Sequence, residues 1–461
     1  MTLMLNDSKA KHGVTMPPEL MSSDQISQTN SKKRFFIVVL AVLSLLLWRI
    51  FYGLSQNFWH EDVGQIYLLG LKYATTGLWP YFGPDIVHTN QQIPGALQSL
   101  IIGLPLRLTQ VAETPFVVVN VLSLIGLALL SWYLARRFTQ FSSLLLLIWL
   151  ATLPSTLQIS TNTYNPSYLL FPACLFFVGW FESQAKFRTL HLGAFSVGAS
   201  MGFALMFTFQ LHLSWPLFFP FVLSAILLPS EELSRLRLIL GLTTGAALVS
   251  TLLLPTLIEY GASSLWTAGT SNSGLHFSQL LEAPGILARY ISLGSYEFFG
   301  FNLSASIDER RQFILERPIL TLSAIALAAG LLWQSYLTLR MIADYARNKN
   351  RRYPEYTLFL LVLLWVTMIF MLTPRPPVLR NFYLMFPVVV LAMVRLFTDL
   401  GNAKVVKRLL TGLIAASIVF HSVVGITLMP DISLYRDRSK IQRALESADY
   451  RIFGERRPGR Y

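Results

Sequence analysis

From residue 33 to about residue 430 the chain alternates long apolar runs with short polar connections. A helical run of roughly 20 apolar residues matches the hydrocarbon thickness of a bilayer. By that measure spans are predicted at 33–54, 115–135, 141–158, 166–182, 190–209, 213–229, 236–257, 318–340, 355–372, 381–398 and 406–427. The segment 94–109, PGALQSLIIGLPLRLT, is apolar enough to be another. Counting it would invert every later connection, so it is expected to lie in or dip into the outer interface, with Pro94 in its first turn. The predicted fold class is an all-α polytopic membrane protein of about 11 transmembrane helices.

The charges support that alternation. Lys32, Lys33 and Arg34 precede the first span, and Arg136 and Arg137 follow the second. Lys186 and Arg188, Arg235 and Arg237, Arg347 to Arg352, and Lys404 to Arg408 then fall on the same side. The positive-inside rule assigns that side to the cytoplasm. The long connections 55–114 and 258–317 accordingly face outward. The tail 431–461 is predicted outside by the count of spans, although it is rich in arginine.

Composition narrows the class. Charged residues make up 13% of the chain and hydrophobic ones 53%, against about 25% charged in a soluble domain. The net charge of +13 does not imply nucleic acid, because the basic residues flank apolar runs. The single cysteine, Cys174, excludes an intrachain disulfide. Residues 1–32 are polar, lack helical periodicity and read as a disordered cytoplasmic tail. The first apolar run is too long for a signal peptide and no small-residue cleavage site follows it, so it is expected to remain as the first span.

Against this sparing use of charge, Glu61 and Asp62 stand side by side just after the first span, in FWHEDVGQIYLLGLKYATTGLWPYFGPD. Val63, Ile66, Tyr67, Gly70 and Tyr73 follow at helical spacing, which predicts an amphipathic helix on the outer surface, ended near Gly77. An acidic pair at a helix start serves as a cap and favours the positive end of the dipole. It also suits a general base in a partly dehydrated cleft. The two roles are compatible.

The stretch HEDVGQIYLLGLKYATTGLWPYFGPD and the following HTNQQIPGALQSL resemble the polyprenyl-phosphate-dependent membrane glycosyltransferases of the GT-C fold. The similarity is to the branch of protein O-mannosyltransferases and lipid A aminoarabinose transferases. RNFYLMFP, Arg380 to Pro387, is similar to a late-span motif of that family, and QLHLSW, Gln210 to Trp215, to a polar turn of uncharacterised bacterial members. The resemblance covers the layout of residues 33–430. It implies a GT-C-type bundle in the bacterial plasma (inner) membrane, with the N-terminus cytoplasmic and the active site outside. The donor would be a polyprenyl-phosphate-linked sugar and the acceptor an unknown lipid, glycan or protein of the envelope.

On this resemblance Asp62 is the expected base, with Glu61 as alternate or as a partner that raises its pKa. Arg375 and Arg380, in TPRPPVLRNFY, are expected at the departing phosphate, where guanidinium groups bind bidentately, although interfacial snorkelling explains them equally well. His212, with Gln210 beside it, is a site candidate at a span boundary, where a tight turn or interhelical hydrogen bond is the ordinary alternative. Tyr67, His88 and Arg289 are further substrate-binding candidates. Metal-using relatives carry another acidic motif in the second outer loop, where this chain has STNTYNPSYLL. Asn165 with Pro166 there reads as a helix cap and first-turn proline. No cofactor is therefore predicted, and a divalent ion would lack a second carboxylate. Rival readings are an O-antigen-type polymerase or ligase, a polytopic transporter, and a non-catalytic scaffold of envelope assembly. A transporter would be expected to place polar groups near mid-membrane, often in repeated halves.

Overall fold

The computed structural model describes residues 23–56, 61–86, 91–109, 111–262, 275–298, 300–301, 306–348, 352–372 and 377–428, without the side chains of 23–34, 61, 62, 86 and 91. The chain forms two units, Met1–Leu45 and Leu46–Tyr461. What is described of the first is the leading part of helix α1 (Ser23–Ser55), which starts upstream of the expected boundary at 33. Its side chains from Phe35 to Leu40 are exposed, an arrangement suited to lipid. The remainder of the expected tail lies outside the described residues.

Among its described residues the regular structure of the second unit is helical apart from one hairpin. Helix α2 (Glu61–Thr76) leads to strands β1 (Phe82–Ile86) and β2 (Gln91–Pro94), then to α3 (Leu97–Thr109) and α4 (Thr114–Arg137). A sharply bent pair follows, α5 (Ser143–Thr152) and α6 (Pro154–Ser160). After it come α7 (Leu170–Ser183), α8 (Ala194–Phe209), α9 (Phe219–Leu227), α10 (Arg235–Ser250) and α11 (Leu254–Tyr260). The last elements are α12 (Ala283–Ser292), α13 (Ile307–Leu315), α14 (Pro318–Arg347), α15 (Pro354–Phe370), α16 (Phe386–Asp399) and α17 (Ala403–Leu428).

Among the described residues six helical stretches are long and apolar enough to cross a membrane, or seven if α5 and α6 count as one bent span. They include Thr114–Arg137, Pro318–Arg347 and Ala403–Leu428. Shorter apolar helices such as Ala194–Phe209 and Pro354–Phe370 lie among them. The chain is thus a multi-pass membrane protein by the length and composition of its helices. Helix α16 is buried almost all round, as expected of an apolar helix at the centre of a bundle.

Two packing devices hold the bundle. In a bilayer, association of helices depends on close backbone contact and hydrogen bonds rather than on escape from water. Gly198 and Gly202 of α8 lie against the carbonyls of Leu238 and Leu242, and Gly241 and Gly245 of α10 against those of Phe195 and Ala199. These two small-xxx-small pairs interlock, and a Cβ at any of the four would strike backbone. The second device is at the break between α5 and α6, which are bent by 64°. Pro154 has no N–H and pushes Leu153 into an extended conformation, so the last turn of α5 loses partners. The Leu150 carbonyl accepts from Thr156 Oγ1 (2.7 Å), that of Ala151 from Arg49 Nη1 (2.7 Å), and that of Thr152 from Ser417 Oγ (2.6 Å). Every orphan carbonyl at the break is accounted for by a side chain.

The two ends of the bundle differ. At one, Arg137 donates twice to Glu355 (2.9 and 2.5 Å), Arg188 to Glu232 (2.8 Å), and Tyr356 to Asp399 (2.7 Å). Gln140 joins Thr398 there at 2.9 Å. At the other end Thr256 donates to the Tyr81 carbonyl (2.6 Å), Gln210 to that of Val249 (3.0 Å), and Trp365 to that of Leu217 (3.2 Å). The basic residues Arg137, Lys186 and Arg188 belong to the first end, and the hairpin to the second.

The hairpin is the main departure from an all-helical expectation. Phe82 pairs with Pro94 and Asp85 with Gln92, with an irregularity between them. Pro94 therefore closes a strand instead of opening the helix expected at 94–109. Gly95, at φ +98°, turns the chain from β2 into α3, a conformation that favours glycine. Two proline-flanked polar runs, FGPD and QQIP, carry none of the alternation that betrays a strand in sequence.

Candidate functional site

A cavity of about 410 Å³ opens at the hairpin end. Five pieces of chain build it. The hairpin supplies Pro84, Asp85 and Ile93, and the bend after α6 supplies Tyr164, Asn165 and Pro166. The turn after α8 contributes His212, Leu213, Ser214, Pro216 and Leu217, the end of α15 contributes Ile369 and Phe370, and the 3₁₀ turn Leu379–Met385 contributes Arg380 and Asn381.

Each piece is tied down independently. Asp85 N donates to Gln65 Oε1 of α2 (3.2 Å), and Tyr260 of α11 packs edge-on against Tyr81 and Phe82. The Thr161 carbonyl, at the start of the second piece, accepts from Asn120 Nδ2 (3.3 Å). Arg289 Nη1 of α12 donates to the Pro377 carbonyl, fixing the approach to Arg380. Asn381 N then donates to the Val378 carbonyl (2.9 Å) and closes the turn. Rigid support of this kind holds a site to its working geometry.

The lining is chemically divided. Leu213, Pro216, Leu217, Ile369 and Phe370 form an apolar side, while Asp85, Tyr164, Asn165, His212, Arg380 and Asn381 bear polar groups. Arg380 is exposed and has no carboxylate or hydrogen-bond partner among the described residues. Its charge reaches both neighbouring rings. Burial pushes the Tyr164 phenol up to about 12, partly offset by Arg380, so it remains a neutral donor. Burial and Arg380 together push His212 down to about 4. An unpaired guanidinium beside neutral donors and an apolar wall suits an amphipathic anion, with its charge at Arg380 and its tail toward Leu217 and Phe370.

The residues singled out from sequence distribute as follows. Arg380 and His212 meet in the cavity. Glu61 and Asp62 form the first turn of α2, as expected of that helix, and their side chains lie outside the described residues. His88 and Arg375 lie outside the described residues. Tyr67 is buried and donates to the Ala112 carbonyl (3.0 Å), a packing contact away from the cavity. Gln210 is buried behind the wall, its Oε1 against Gly95 and its amide on Val249. Arg289 supports the wall without lining it.

Asp85, Tyr164 and Asn381 escaped the sequence reading, and Asn165, read there as a cap, also faces the cavity. Asp85 had a signal, being a carboxylate in a chain with few charges, two residues beyond the glycine of YFGPD. Tyr164 and Asn381 had none, since a tyrosine or asparagine at a span end is ordinary. Among the described residues no three His, Cys, Asp or Glu side chains group as metal ligands. Comparison with family models, characterised proteins and solved structures finds no match to this chain.

Proposed function

We propose that this protein is a membrane glycosyltransferase of GT-C type that moves a sugar from a polyprenyl-phosphate-linked donor to an acceptor outside the plasma membrane. The observation that carries the reading is the cavity itself. It joins one unpaired arginine to an apolar wall at the end of the bundle away from the basic connections. The reading takes the basic end as cytoplasmic, as the positive-inside rule expects, with the cavity on the outer face and about eleven spans.

In this mechanism the phosphate of the donor lies against Arg380 and its prenyl chain runs along Leu217 and Phe370. Negative charge grows on the phosphate oxygens as the glycosidic bond breaks, and Arg380 stabilises it. Asp62, in the first turn of α2, takes the proton from the acceptor hydroxyl or amine as that atom attacks the anomeric carbon. Glu61 is the adjacent carboxylate whose charge raises the basicity of Asp62.

The test is transfer by purified protein in bilayer discs supplied with prenyl-phosphate-linked sugars and an envelope extract as acceptor. Asp62→Asn is expected to lose transfer by about 100-fold or more while its melting temperature stays near wild type. Undiminished transfer by Asp62→Asn, or no sugar release by the wild type from any such donor, contradicts the reading.

A further inference from the structure

His212 occupies the turn between α8 and the short 3₁₀ turn Trp215–Phe218. Its Nδ1 is engaged within that turn. Ser214 N donates to it at 3.1 Å, and Ser214 Oγ lies 2.8 Å from the same nitrogen. A ring nitrogen that accepts a backbone N–H carries no proton, so a neutral imidazole in this position is the Nε2–H tautomer. Protonating the ring would set an Nδ1–H against the Ser214 N–H, and the backbone donor has no second form to adopt.

The other groups on the cavity wall act in the same direction or too weakly to reverse it. Arg380 comes from the 3₁₀ turn Leu379–Met385, Asp85 from β1, and Tyr164 from the bend after α6. Arg380 opposes a second cation, Tyr164 stays neutral, and Asp85 is the one carboxylate lining the cavity among the described residues. Burial adds the largest opposing effect. Nε2 has no hydrogen-bond partner among the described residues, while the ring borders the cavity. That leaves an N–H available for a ligand.

We propose that His212 is a permanently neutral hydrogen-bond donor, locked as the Nε2–H tautomer by the Ser214 backbone, and that it grips with Arg380 an anionic phosphodiester oxygen. The ligand class rests on the transferase reading, whereas the tautomer rests on the turn alone. A neutral donor beside one guanidinium holds the anion with a single positive charge. It acts as neither a general base nor a second cation.

Two measurements decide it. The first is nitrogen-15 NMR of the full chain with labelled histidine, the His212 signal being assigned by its loss in His212→Gln. The expected spectrum shows a non-protonated Nδ1 and a protonated Nε2 at every pH between about 5.5 and 8. The second needs no variant: binding of a farnesyl methyl phosphodiester, whose charge is fixed over this range, to the wild-type protein in detergent. Its Kd is expected to vary by less than about twofold from pH 5.5 to 8, whereas an imidazolium would tighten it about tenfold on acidification. His212→Asn, which cannot reach the Nε2 position, is expected to weaken binding by about tenfold. His212→Gln, which presents an amide N–H there, restores most of it.

An Nδ1–H or doubly protonated ring, a tenfold pH dependence, or unchanged binding by His212→Asn overturns the inference and leaves the transferase reading standing. Failure of the wild type to bind the diester overturns both.

Discussion

Arg49 shows how a single residue decides local architecture in this chain. It is 0% exposed, and among the described residues no carboxylate pairs with it. Its guanidinium instead donates to the carbonyls of Ala151 (2.7 Å), Ser160 (3.2 Å) and Thr156 (3.3 Å), and to Ser160 Oγ (2.8 Å). Hydrogen bonds offset the cost of burying its charge, and the guanidinium ties the Ala151 carbonyl, left open by the break at Pro154, to the Thr156 and Ser160 carbonyls of α6. Arg49→Met removes the donors and strands the carbonyls. It is expected to cost about 2–4 kcal/mol, read as a lowered melting temperature in detergent; an unchanged melting temperature would refute this role. The sequence held the clue, since an arginine inside an apolar run is functional or structural by default. It did not say which, because the acceptors lie about a hundred residues away.

At the scale of elements, much of the layout was legible and the exceptions share a cause. Helices α4 and α17 fall within a few residues of the apolar runs at 115–135 and 406–427, and α14 begins with the run at 318–340 but continues to Arg347. Run length reports them well because a bilayer sets it. The run at 141–158 also reads as one span by length, but Pro154 divides it. The hairpin was invisible because its pairing is set by tertiary support from α2 and α11. The α8–α10 contact was likewise unread, although GASMG and GLTTG carry its signature. Gly202→Leu is expected to separate these helices, because its side chain meets the Leu242 carbonyl and the backbone of Ala246. Gly412 of α17 offers the contrast, with nothing within 4 Å of an added Cβ. Gly412→Ala is expected to stabilise the helix by about 0.5–1 kcal/mol. Thermal unfolding of the two variants side by side checks the pair, and equal melting temperatures would contradict the packing argument.

For the molecule as a whole, the proposed function depends on five separate segments meeting at one end to build the cavity. Sequence reasoning reached two members of that meeting, Arg380 and His212, because a charge or an ionisable ring at a span boundary is rare. It missed the uncharged wall, whose residues acquire meaning only through assembly. The central claim is that this cavity holds a prenyl-phosphate group, and cross-linking with a photoreactive prenyl phosphate in bilayer discs tests it most directly. Digestion and mass spectrometry should place the adduct on the segments 210–217 and 369–372, with labelling reduced about tenfold or more in Arg380→Ala. Labelling confined to the basic end around Arg137 and Glu355, or labelling that Arg380→Ala leaves intact, would contradict the account.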